Sequence, residues 1–145
     1  GHIHNIVQFL KKNQLTMEKK EKNKKIIYIN NGNVLIKSVR SLINLEKLLK
    51  TKSFNKLKKI GPIGVYGSFA NGTNDKDSDL DLWIYTNKNL MGFQDTLREL
   101  ENELNVKANL LVLNRNKISE LKKDDREFYM RLKLTSTLFG EDIFD

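Results

Sequence analysis

Two short groups of residues near the middle of the chain have the types and spacing for chemistry on phosphate. Gly67 and Ser68 follow an apolar run, and Asp79 and Asp81 open a second apolar run eleven residues after Ser68. Glycine lets a backbone pass close to a ligand, and the exposed amides of an opening helix attract phosphate. Ser68 adds a hydroxyl donor. In Asp79-Leu80-Asp81-Leu82-Trp83-Ile84 the strand period of two puts both carboxylates on one face and Leu80, Leu82 and Ile84 on the other. There the acids can grip one hard cation. Mg²⁺ fits, because it takes oxygen ligands and bridges to nucleotide phosphates. Two such ions about 3.5–4 Å apart would hold the attacking and leaving oxygens of an in-line displacement. Phosphoryl or nucleotidyl transfer is the reaction class implied.

Taken singly, each group has a plainer explanation. A Gly-Ser pair after a strand is usually a turn, and an Asp-x-Asp at a loop–strand junction is usually a solvated cap. The alternating Asp75, Asp77, Asp79 and Asp81 raise a calcium loop as a rival. An EF-hand needs glycine at its sixth position and glutamate at its twelfth, where this chain has Leu80 and Thr86.

The elements that must position these residues follow from local pattern. Ile63, Val65 and Tyr66 after Pro62 predict a buried strand. Asn71-Gly72-Thr73-Asn74-Asp75 is rich in turn formers, so the chain doubles back into the Asp-x-Asp strand as in a hairpin. Upstream, apolar positions predict a helix over 38–50 and a short helical turn over 54–59. Downstream, Asn87 or Asn89 caps a helix carrying Leu90, Phe93, Leu97, Leu100 and Leu104, and residues 106–113 read as a strand. A helix over 117–123, a cap at Asp124-Asp125 and a helix over 126–138 stopped by Gly140 complete the chain; Tyr129, Leu132 and Ser136 or Leu138 line the inner face of the last helix.

In combination these features are far more specific. Apolar strand, Gly67-Ser68, a loop of about ten residues, then Ser78-Asp79-Leu80-Asp81 and a second apolar strand resembles the signature of the nucleotidyltransferase superfamily that includes DNA polymerase β, and most of all its minimal stand-alone members. The resemblance implies an α+β domain, a mixed β-sheet flanked by helices. It also implies that Gly67 and Ser68 hold the triphosphate of an NTP, with ATP the first candidate. Asp79 and Asp81 would be catalytic and would bind Mg²⁺, as one ion or two, with Mn²⁺ able to substitute. In that family the later strand supplies a third metal-binding aspartate, and the matching position here is Asn109. An amide offers one neutral oxygen, so the departure predicts weak binding of a second ion. The acceptor hydroxyl implied by the minimal members includes a protein side chain, as in antitoxin-type transferases acting on a partner toxin.

Composition narrows the setting. A 145-residue chain allows one domain of ordinary size with a smaller appendage. No apolar run reaches the roughly 18–20 residues of a membrane helix, and no signal-peptide layout is visible, so no membrane partner is expected. Cysteine is absent, which removes disulfides and thiolate chemistry and fits the cytoplasm. The two histidines, His2 and His4, stand together at the start, and zinc is not expected. Charge is uneven: 15 Lys or Arg face three Glu up to Lys59, and 11 face 15 acids thereafter.

A basic front suggests an anionic partner, DNA first. Ile3, Ile6, Val7 and Leu10 predict a helix over 3–12; Leu15-Thr16-Met17 reads as a short strand, Lys19–Lys25 as a basic loop and Ile26–Ile29 as a strand. This order resembles the second half of a winged helix-turn-helix domain, whose wing lies near phosphates. Either the segment is a truncated winged helix from a longer protein, or it is a lone helix and hairpin used for packing. Val34–Ile36 either pairs back or enters the next helix. The organisation expected is a basic winged-helix-like segment, 1–36, and a nucleotidyltransferase-like domain, 37–145. Two functions compete: transfer of a nucleoside monophosphate, and a DNA-binding regulator whose impaired transferase domain senses nucleotide.

Overall fold

In the computed structural model, which describes residues 1–144, the chain opens with helix α1 (His2–Lys12) and an antiparallel hairpin, β1 (Thr16–Glu21) and β2 (Lys24–Ile29). The predicted basic loop over Lys19–Lys25 is therefore mostly strand. Only Lys22 and Asn23 turn the chain, with Lys22 at φ 50°, and the charged side chains pair instead of repelling. Glu18 binds the ammonium of Lys11 and, at 3.1 Å, that of Lys25; Lys19 meets Glu21 at 2.9 Å. These two lysines hold the Glu18 carboxyl below its ordinary value. No residue of α1, β1 or β2 is fully buried.

Asn33 ends this segment by capping helix α2 (Val34–Lys50): its Oδ1 accepts from the amides of Leu35, 2.8 Å, and Ile36, 3.4 Å. The helix therefore starts four residues before the predicted boundary and takes in Val34–Ile36. Thr51 then caps helix α3 (Lys52–Lys58), accepting from Phe54 N at 3.3 Å.

The remaining elements are strand β3 (Ile63–Tyr66), the short helix α4 (Gly67–Asn71), strand β4 (Leu80–Tyr85) and a 3-10 turn over Leu90–Phe93. Helix α5 (Gln94–Leu104), strand β5 (Ala108–Leu113), helices α6 (Arg115–Asp124) and α7 (Arg126–Thr135) and strand β6 (Thr137–Phe139) follow. Asn89 is the cap residue, but it caps the 3-10 turn through Gly92 N, so Leu90 stays exposed and the regular helix begins only at Gln94.

Four strands make one mixed sheet in the order β5-β4-β3-β6, with β4 and β5 parallel and the other pairs antiparallel. Strand alternation divides the core. Ile63, Val65, Leu80, Leu82 and Ile84 pack with Leu48, Phe54, Leu57, Phe93 and Leu100 from α2, α3, the 3-10 turn and α5. Trp83 points the other way, into Leu113, Ile118, Leu121, Tyr129, Leu132 and Phe144 around α6 and α7. Gly64 makes room for it: a Cβ there would stand 2.2 Å from the indole.

The last helix is shorter than its apolar spacing predicts. It stops at Thr135, and residues 137–139 pair with β3, Thr137 opposite Val65 and Phe139 opposite Ile63. The free edge of β3 offers ladder bonds in place of one more helical turn, which would contain β-branched Thr137. Leu138 consequently packs from a strand, Phe139 meets Phe54 edge to face at 5.3 Å, and Gly140, φ 108°, follows β6 instead of ending a helix. Tyr129 and Leu132 do line the inner face of α7. Among the described residues no helix is long and apolar enough to cross a membrane.

Candidate active site

Tyr66 ends β3, and the chain turns into α4 through Gly67 at φ +69°, a conformation glycine adopts without strain. Gly72 closes the short helix in the left-handed region and lies so close to α2 that a Cβ would be 1.9 Å from Lys37 O. Polar side chains of α2 hold this unit in place. Ser41 Oγ donates to Ala70 O at 2.6 Å; Asn44 Nδ2 donates to Phe69 O at 3.0 Å and to Asn74 Oδ1 at 2.7 Å. Arg40 donates to Asn74 O and, at 3.0 Å, to Asn31 Oδ1 beside the N-terminal hairpin.

The loop leading to β4 fastens itself. Asp75 Oδ1 accepts from Ser78 Oγ at 2.8 Å and from Asp77 N at 3.0 Å, while Ser78 Oγ accepts from Asp75 N at 2.9 Å. The serine hydrogen bond, then the amide of Asp77, keep the Asp75 carboxyl below its usual value. Asp75 thus serves the loop.

Asp81, the second residue of β4, lies in register between Tyr66 of β3 and Asn109 of β5. A Cβ on Gly67 would be 2.6 Å from Asp81 Oδ2, so the glycine turn and the acid are in contact. Ser68 follows in the first turn of α4, half-buried. Asn109 Nδ2 donates to Asp81 Oδ1 at 3.0 Å and to Asp79 Oδ2 at 3.4 Å, so both carboxylates converge on one amide. The structure therefore brings together Gly67, Asp79, Asp81 and Asn109, the last in the position expected from the resemblance, while Ser68 is next to them in the chain as the residue after Gly67.

Tyr66 adds a residue the sequence did not single out. It is half-buried, its ring stands 6.0 Å from Phe128, and burial followed by the Asp81 charge pushes its hydroxyl pKa up. Arg40, Ser41 and Asn44 were also missed. The helix also carries Lys37, Ser38, Glu46, Lys47 and Lys50, so nothing in the sequence set these three polar residues apart.

The donor chemistry fits one hard divalent cation: two carboxylates face a common point, with oxygen ligands only. Among the described residues no third carboxylate or imidazole joins them, so the set does not fit a second ion equally well.

Residues 46–142 match the family described as polymerase beta, nucleotidyltransferase, and the chain belongs to that family. The mixed sheet flanked by helices is the fold expected of it. A solved structure described as "Crystal structure of the toxin-antitoxin with AMP-PNP" is similar at 16% identity, over 69% of this chain and 73% of that one, with a TM-score of 0.46. No curated protein matches the chain.

Proposed function

We propose that the domain moves a nucleoside monophosphate from an NTP, ATP first among them, to an acceptor hydroxyl in a reaction that depends on Mg²⁺ or Mn²⁺. Gly67 and Ser68 would hold the phosphates, and Asp79 and Asp81 would hold the metal and act in catalysis. The observation that carries this reading is the contact between the glycine turn and Asp81 at neighbouring strand ends, 2.6 Å from Asp81 Oδ2 to the place of a Gly67 Cβ. Phosphate and cation would then meet where backbone amides and carboxylates already stand, and positioning with charge neutralisation would supply the rate. A protein side chain is among the acceptors to test. Incubation with α-labelled ATP, Mg²⁺ or Mn²⁺ and candidate acceptors should transfer label, and Asp79→Asn with Asp81→Asn should abolish it.

Asn109 favours a second reading, in which residues 1–36 bind DNA and the domain from 37 onward senses nucleotide without turnover. Arg40 supports it by joining Asn31, beside the hairpin, to Asn74 in the loop before Asp79. Nucleotide binding without label transfer would select this reading.

A further inference from the structure

We infer that Asn109 makes this a one-cation site: its amide holds Asp79 and Asp81 together in the free protein and supplies too little negative charge for a second divalent ion beside the first. The inference rests on the nucleotide and cation site proposed above. Its grounds are the two hydrogen bonds from Asn109 Nδ2, 3.0 Å to Asp81 Oδ1 and 3.4 Å to Asp79 Oδ2. Two carboxylates repel unless something positive stands between them, and here the positive end of an amide dipole does so.

The geometry is set by the sheet. Asn109 is the direct parallel partner of Asp81, and Leu80 N donates to Lys107 O at 2.8 Å, which locks the register just before it. The ladder fixes where the Asn109 side chain starts, so its amide stays within reach of both carboxylates however it turns. A cation entering between the carboxylates must displace the N–H donors, and the side chain can then offer only its neutral oxygen. Two carboxylates balance one dication. A second would meet Coulomb repulsion four times that of unit charges at the same separation and would have only the nucleotide phosphates and a neutral amide oxygen to hold it, with no further protein carboxylate among the described residues. Asn109 is accordingly a positioning residue in the free protein and a counter of ions in the loaded one.

The test is equilibrium dialysis of the whole chain against saturating Mn²⁺ and a non-hydrolysable ATP analogue, measuring excess metal and excess nucleotide in the protein chamber. The wild type should retain one Mn²⁺ per nucleotide, and Asn109→Asp should retain two with the nucleotide count unchanged. A wild type retaining two overturns the inference and leaves the nucleotide site standing. A folded Asn109→Asp variant that still retains one overturns the role given to Asn109. If neither protein retains nucleotide, the underlying site falls as well. Should Asn109→Asp fail to fold, the wild-type ratio alone decides.

Discussion

Gly67, at the start of α4, touches Asp81 of β4, with the place of a glycine Cβ only 2.6 Å from the carboxylate Oδ2. Gly67→Ala therefore carries two penalties. The positive φ of +69° costs an L-residue about 1–2 kcal/mol, and the methyl pushes the carboxylate out of its place opposite Asn109. Label transfer should fall by roughly 100-fold, the usual consequence of an ångström-scale misplacement of a reacting group. Paired measurements of urea stability and of transfer rate check this: a variant that loses stability but keeps full transfer would show that the contact has no part in function.

Trp83 is fully buried, and its indole N–H donates to Ser136 Oγ at 2.9 Å. Ser136→Ala leaves that donor without its acceptor in an apolar pocket, at a cost of about 1–3 kcal/mol. Trp83 is the single tryptophan of the chain, so its fluorescence during urea unfolding reports the change directly. The expected result is a lower midpoint with an unchanged slope.

Much of the site was legible because it lies in central strands. Alternation in Leu80–Ile84 separates carboxylates from core by simple parity, whereas the place of Asn109 came from the family resemblance, and its parallel register with Asp81 is seen only in the fold. The supports of the site left weaker marks. Arg40, Ser41 and Asn44 bind backbone carbonyls and an amide 25 to 34 residues away, and such bonds impose no local period. The hairpin was legible only at its apolar ends: Thr16, Met17 and Ile26–Ile29 do lie in strands, whereas over the intervening residues 18–25 charge replaces the apolar pattern that identifies a strand, and pairing alone extends β1 and β2 towards the turn. Strand β6 is three residues long and continues a helical spacing, and only the open edge of β3 makes it a strand.

Glu103 of α5 caps α3 from outside: its Oε1 accepts from Lys52 N and its Oε2 from Ser53 N, each at 3.1 Å. Desolvation pushes its pKa up, but the amide and hydroxyl of Ser53 and the amide of Lys52 outweigh this and leave it lowered. A depressed acid stabilises the fold above its unfolded pKa, and that contribution disappears as pH falls through the folded value. Glu103→Ala should cost about 1 kcal/mol near neutral pH, the usual worth of a cap, and the gap from wild type should close on acidification. Thermal melts of both proteins between neutral and acid pH measure it. A gap that stays constant with pH would assign the loss to packing, not to the carboxylate.

The hairpin offers a test of the DNA-binding reading that depends on which lysines are already engaged. Lys19 and Lys25 are paired with Glu21 and Glu18, whereas Lys20, Lys22 and Lys24 have no carboxylate partner among the described residues. Phosphate neutralisation by the second group costs no ion pair, so these three should dominate contact with duplex DNA. Replacing them together with Gln should weaken binding equally across sequences and flatten the dependence of log K on log salt by about one unit per lysine that touches phosphate. Replacing Lys19 and Lys25 should do less, because each already has its counter-charge. Fluorescence anisotropy of labelled duplexes over a range of salt gives both slopes; binding that is absent, or insensitive to salt, would leave the hairpin as a packing element.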